Sequence, residues 1–169
     1  MRFELLPVVT YMWRRRGQPL RIPTPGSNRR VAVCGAMRWP NGPFRFGFGF
    51  RQVNTDVFLE LLPQLAAHAR RVRRRIVLVL DNGSYFTSHR STAAITAASS
   101  WLTIFRLPPY SSEQLNEIEG LWRHLEEDYF SRMLVADPAD FVSAAVQLLR
   151  RLQKPGVLRR VLKPRRPLT

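Results

Sequence analysis

Five aliphatic residues in a row, Ile76-Val77-Leu78-Val79-Leu80, stand between Arg70-Arg71-Val72-Arg73-Arg74-Arg75 and Asp81-Asn82-Gly83. A run of that length, rich in β-branched residues and closed by turn-forming residues, specifies a strand. Its lack of alternation specifies one covered on both faces. Strands buried that way need helices layered over the sheet, so the run commits the chain to an α/β architecture. Asp81 then stands at the carboxyl end of the strand, the side of an open α/β sheet where sites form.

The rest of the chain supplies the layers. Residues 1 to 30 read as an irregular lead-in, because Pro23, Pro25 and Gly26 forbid long regular elements. Val31 to Met37 reads as a strand, Asn41-Gly42 as a tight turn, and Phe44, Phe46, Phe48 and Phe50 as the core-facing side of the returning strand. A helix capped by Asn54 or Thr55 follows, with Phe58, Leu61, Leu62, Leu65 and Ala69 inward and Pro63 expected to kink it. After the aliphatic strand come a helix near Ser91 to Ala98, a strand over Leu102 to Leu107, and the rigid Pro108-Pro109-Tyr110 loop. Leu115, Ile118, Leu121, Trp122, Leu125 and Tyr129 form the buried stripe of the next helix. Asp137-Pro138 starts a last helix with Phe141, Ala144, Leu148 and Leu152 inward. Beyond Gln153 the chain turns basic and Pro-rich and is expected to fray. These boundaries give one domain over residues 1 to 153 and a basic tail over 154 to 169.

Twenty-seven Lys and Arg against 12 Asp and Glu leave a formal charge of +15 on 169 residues. That charge repels itself unless a polyanion balances it, and nucleic acid is the polyanion it fits best. Arg14, Arg15, Arg16, Arg29 and Arg30 flank the irregular lead-in and are candidates for gripping a DNA backbone. Arg73, Arg74 and Arg75 are either a second grip or a charged turn that keeps the following strand soluble. Arg159, Arg160, Arg165 and Arg166 suit nonspecific attraction. Trp122 and Phe58 read as core, and Trp101 as core or as a base-stacking platform. No apolar run approaches the roughly 20 residues that cross a bilayer. The greasy LLPVVTYMW precedes its arginines, the wrong order for a signal peptide, so the expected location is the cytoplasm, at the nucleoid. Cys34 is the single cysteine and His68, His89 and His124 are scattered, which leaves oxygen as the ligand for any metal and favours Mg2+ or Mn2+.

Asp81 at a strand end and Glu119 near a helix start are two oxygen donors on rigid elements. Carboxylates so held can share divalent cations that drive in-line displacement at phosphorus. Each residue also has an ordinary structural reading. Asp-Asn-Gly is turn chemistry, and Asn116 followed three residues later by Glu119 matches a capping box. Glu117 is a further candidate ligand, although residues two apart do not share a helix face.

The segments RIVLVLDNGSYFTSHRS and LPPYSSEQLNEIEGLWRHL resemble the second and third motifs of the DDE transposases of the mariner type and related bacterial insertion sequences. The text LLPVVTYMWRRRGQPLRIPTPGSNRRVAVCGA resembles the part of the same domain between its first motif and second strand, so the likeness runs from Leu5 to about Leu152. The resemblance implies a ribonuclease-H-like domain, a mixed sheet flanked by helices, whose Asp, Asp, Glu triad binds two Mg2+ or Mn2+ ions. It makes Asp81 the second acidic residue and Glu119 the third, with Asn82 and Asn116 in support. The reaction it implies is DNA strand cleavage at transposon ends and strand transfer into target DNA.

Three positions depart from the family pattern. Phe86 stands where a His often follows, and Ser112 and Glu117 stand where prolines are usual. The resemblance sets the family's first Asp just before residue 1, so the chain is expected to begin inside the domain and to lack its first strand. Glu4 and Asp56 are the substitutes at hand, and neither ends a predicted strand. A homodimer or an upstream transposase fragment would then be the partner, and the isolated chain is expected to be inactive or impaired. The alternative is a noncatalytic nucleic-acid-binding remnant.

Overall fold

The structure, a computed structural model, describes residues 1–5, 15–18, 28–40, 42–133, 135 and 137–161. A three-stranded antiparallel sheet is built from β1 (Arg2–Glu4), β2 (Arg30–Met37) and β3 (Phe44–Phe50), in the order β1-β2-β3. The lead-in thus contributes a short strand where none was expected. Its pairing is fixed by Phe3, which is buried and stacks on Phe130 with ring centroids 4.0 Å apart. Asn41 of the expected turn lies outside the described residues.

In β3 the aromatic and glycine positions divide between two layers. Phe44 is fully buried beside Trp122, whereas Phe50 at the strand end is 64% exposed, so the expected aromatic face is core only in part. Helix α1 (Thr55–Val72) crosses the other face at Gly47 and Gly49. A Cβ at Gly47 would collide with the Val57 carbonyl, so the missing side chains are what let the helix lie so close. Asn54 caps α1 by accepting from the Val57 amide at 3.1 Å, and the helix continues through Pro63.

Strand β4 (Ile76–Leu80) pairs in parallel with β5 (Leu102–Arg106), and the two form a separate sheet. The expectation that β4 is covered on both faces is corrected. Leu78 and Leu80 are buried with α1 and α2 (His89–Ala97), but Val77, Val79 and the neighbouring Phe105 are exposed. The helices that could cover that second face lie over the three-stranded sheet instead. There α4 (Ile118–Asp128), α5 (Pro138–Leu152) and α6 (Val157–Val161) bury Leu121, Trp122, Leu125, Phe141, Leu149 and Leu158 with Phe3, Val31 and Val33.

Helix details differ from expectation where the period was read one step off or a break was missed. A separate turn, α3 (Ser112–Leu115), precedes α4, which leaves Leu115 at the surface, and Tyr129 closes α4 half exposed. In α5, capped as expected by Asp137, the fully buried positions are Phe141, Ala145, Leu149 and Leu152. Ala144 and Leu148 flank that line. Residues 157 to 161, expected to fray, form α6 with Leu158 buried.

Candidate functional site

Asp81 leaves β4 where the strand ends, and its Oδ1 accepts from the Gly83 amide at 2.9 Å, which is the turn reading expected for Asp-Asn-Gly. Gly83 has no side chain because the Tyr85 ring lies over it, close to the same carboxylate. The Asn82 amide donates to the Leu107 carbonyl at 2.9 Å and so ties the exits of β4 and β5 together. Asp81 is therefore fixed by two strands and one turn, and it remains half-buried.

Glu119 lies in the first turn of α4. The capping box is not adopted: Glu117 occupies the cap position without a side-chain hydrogen bond, and Asn116 offers its backbone carbonyl to the Glu119 amide at 2.9 Å. Glu119 is half-buried, and an acidic group in the first turn is favoured by the helix dipole. Glu117 is exposed.

Asp81 and Glu119 both line one cleft of 870 Å³ between β2 and β4, with Asn116, Glu117 and Tyr85 also on its wall. Electrostatics place them on the same groups. Burial, with Asp81, Cys34 and Glu119 nearby, holds the Tyr85 phenol above its usual range. The Met1 ammonium is held low by burial, against the opposing pull of Cys34, Glu119 and Asp81. Burial also pushes the Cys34 thiol, on the same wall, up to about 12. The two carboxylates thus share a partly desolvated space rimmed by a protonated phenol and a protonated thiol.

A chain of hydroxyls supports this corner. Thr55 donates to Ser88 at 2.9 Å, Ser88 to Ser91 at 3.0 Å, and the fully buried Ser91 to the Tyr85 carbonyl at 2.5 Å. Phe86, at the position where the family often has His, is a core anchor packed edge-on against Phe58 at 4.9 Å. Tyr85 and Arg106 were not singled out by the sequence. Tyr85 lies four residues past Asp81, and Arg106 pairs in register with Leu80 at the carboxyl ends of the strands, where it stands exposed. Their signal was position alone, one within the Asp-Asn-Gly turn and the other opposite it.

The basic candidates are dispersed. Arg14 lies outside the described residues; Arg15 and Arg16 are exposed. Arg29 and Arg30 are exposed, and Arg30 is paired with Glu4 at 3.0 Å, where Arg2 also reaches at 3.4 Å. Arg73 closes α1 in a left-handed conformation. Arg75 donates to the Ser99 carbonyl at 2.8 Å and to the Thr103 hydroxyl at 3.3 Å, so part of that run holds β4 to its neighbour. Arg74 and Arg75 line the cleft from the start of β4, whereas Asp81 ends it. Asp56 is exposed, paired with Arg90 at 2.7 Å, and off the cleft wall. Trp101 is half-buried against the α1 and α2 core.

Residues 1–140 match the family model described as DDE superfamily endonuclease. The chain is 28% identical over 124 residues to the insertion element IS630 uncharacterized 39 kDa protein of Shigella sonnei, a match covering 73% of this chain and 35% of that relative. No solved structure matches the chain significantly. No helix among the described residues is long and apolar enough to cross a membrane. The family match spans residues 1–140 and holds both acidic motifs, and the chain accordingly belongs to the DDE endonuclease superfamily.

Proposed function

We propose that this chain carries two of the metal-holding carboxylates of a ribonuclease-H-like DNA transposition domain, with Asp81 and Glu119 acting on DNA strand cleavage and strand transfer. The observation that supports this most is that the two carboxylates, 38 residues apart in sequence, line one cleft, which runs along β4 and meets Asp81 at the strand's carboxyl end. Carboxylate oxygens are the donors that Mg2+ and Mn2+ take, and Mg2+ is commonly held by one or two carboxylates with water completing its shell. Asp81 and Glu119 fit such an ion as a donor pair. Among the described residues no group of three or more His, Cys, Asp or Glu gathers to hold one. A bound divalent cation would supply charge stabilisation at the phosphorus under attack.

The chain's own groups do the rest. The Asn82 tether and the Gly83 amide keep Asp81 from turning away. Glu119 is carried on a helix anchored by Leu121, Trp122 and Leu125, so its position is set by core packing. The Tyr85 phenol keeps its proton and is a hydrogen-bond donor beside the carboxylates. Arg106 stands at the same strand ends, where its guanidinium donates to the Phe86 carbonyl at 3.4 Å.

The test is a Mn2+ titration followed by NMR line broadening, run beside a supercoiled-plasmid nicking assay. The expected result is broadening centred on Asp81 and Glu119 that Asp81→Asn or Glu119→Gln abolishes, with any nicking lost in the same variants. Broadening elsewhere, or unchanged in both variants, would refute the reading. The charge of +15 also favours a second reading as a noncatalytic DNA-binding module. In that case DNA is retained in chelator, released by salt, and never nicked.

A further inference from the structure

At the end of β4 opposite Asp81, positive charge gathers from three parts of the fold. In the alternation of FRFGFGF, Arg45 falls on the same face as Gly47 and Gly49, the face crossed by α1. The helix runs along that face towards the hairpin turn: Glu60 accepts from the Phe48 amide at 3.0 Å, and Gln64 donates to the Phe46 carbonyl at 2.6 Å. One turn further on, His68 and Arg71 come within the field of Arg45 and of Arg38, which follows β2. An arginine can only donate, so the 3.2 Å contact from Arg71 makes His68 Nδ1 the acceptor. Arg73 then closes the helix in a left-handed conformation, and the Arg74 amide folds back onto the Ala69 carbonyl at 3.2 Å. Arg38, Trp39, Arg45, His68 and Arg74 line the same cleft.

These cations repel one another. Arg45 is held below its ordinary range by burial and then by Arg71, and the His68 imidazole is held low by burial, then by Arg71, Arg45 and Arg38. Among the described residues the ion pairs lie elsewhere, joining Arg2 and Arg30 to Glu4, Arg90 to Asp56 and His124 to Asp128. The dipole of α1 favours cations in its last turn, which accounts for Arg71. It does not call for two more guanidiniums on the hairpin facing it. A charged turn kept for solubility would stand in water, whereas Arg45 and His68 are half-buried. Beside Arg38, the Trp39 indole is 57% exposed, an aromatic surface that neither core claims.

We propose that this cluster is a binding site for unpaired nucleotides of a nucleic-acid strand, with phosphates on Arg38, Arg45, Arg71 and Arg74 and a base stacked on the Trp39 indole. Phosphate is the anion that the planar guanidinium fork takes through two parallel hydrogen bonds. An exposed aromatic ring set among such groups holds unstacked bases with little regard to sequence. A duplex keeps its base faces stacked on one another, so the site selects single strands. Arg75 and Asp81 are six residues apart along β4, which separates the cluster from the carboxylates by about 20 Å. The cluster is therefore a second point of contact, and it stands whether or not Asp81 and Glu119 hold a metal.

The test is run in chelator, so that the carboxylates play no part. The chain is titrated with an oligothymidylate of about ten nucleotides, a blunt duplex of equal length, and tripolyphosphate. Binding is read by fluorescence anisotropy and by NMR at the Trp39 indole. The expected result is that the single strand binds about tenfold more tightly than the duplex and shifts the indole signal. Trp39→Ala should abolish that preference and Trp39→Phe should keep it. Arg38→Ala with Arg71→Ala should weaken single-strand binding about tenfold more than Arg123→Ala with Arg150→Ala, which removes the same charge from an exposed surface elsewhere. Equal affinity for strand and duplex would overturn the proposal. So would an indole signal that the strand leaves in place while tripolyphosphate displaces the strand, since the cluster would then be an anion site alone. If a variant does not fold, the titrations of the unaltered chain decide between these outcomes.

Discussion

Cys34 shows how a residue of no evident chemistry reports on its surroundings. Its thiol is buried on the cleft wall and is held up to about 12, from 9.0, chiefly by desolvation. Between those values the unfolded chain has lost the proton and the folded chain keeps it. Stability is therefore complete below pH ~9 and falls as pH rises towards about 12, by up to ~1.4 kcal/mol per pH unit. Cys34→Ala is expected to flatten that decline in urea titrations at successive pH values, and the native thiol to resist alkylation at pH ~8 until the chain is denatured. Ser91 reports on the other side of the site. It is fully buried and holds the Tyr85 carbonyl, so Ser91→Ala leaves a buried acceptor bare and should cost about 1–3 kcal/mol by chemical denaturation. Asp81 and Glu119 were legible in the sequence as residues to watch, because turn chemistry and helix starts are local. Tyr85 was not, since what sets it apart is the company of Asp81, Cys34 and Glu119.

At the scale of elements, FRFGFGF carries two messages that a hydrophobic pattern merges into one. The phenylalanines mark the face towards α4, and Gly47 and Gly49 mark the face on which α1 lies. Gly47→Ala sets a methyl against the Val57 carbonyl, and the helix must shift or the strand must bend. A loss of about 1–3 kcal/mol in thermal or urea unfolding is expected, while Gly120→Ala, where nothing crowds the added atom, is expected to be neutral or slightly stabilising. Asn54→Ala removes the acceptor for the Val57 amide and should cost about 1 kcal/mol in the same assay. Helix α1, its cap and its buried stripe were readable because capping and the 3.6 period are local rules. The bare face of β4 was not: the run Ile76 to Leu80 records that the strand can be buried twice, and only packing shows that α4 and α5 cover a different sheet.

For the whole molecule, a charge of +15 dominates any encounter with a polyanion. DNA affinity is expected to fall linearly in log Kd against log salt, with each phosphate contact contributing about 0.9 to the slope. Replacing the exposed Arg15 and Arg16 by Ala should lower the slope by up to about two without changing sequence preference, as measured by fluorescence anisotropy at several salt concentrations. Arg30 and Arg75 should matter less to the slope, since they are spent in part on Glu4 and on the Ser99 carbonyl.

The sequence by itself determined the α/β class, the caps at Asn54 and Asp137, the strand ending in Asp81, and kinship with the DDE superfamily. Each rests on residues adjacent or one helical turn apart, where backbone conformation and side-chain chemistry act directly. The tertiary structure alone decided that the described strands form two sheets and that Asp81, Glu119, Tyr85 and Met1 line one cleft. Those facts depend on which layers pack over which sheet. That outcome is a balance of burial and backbone pairing summed over the whole molecule, and no local stretch of the chain contains it.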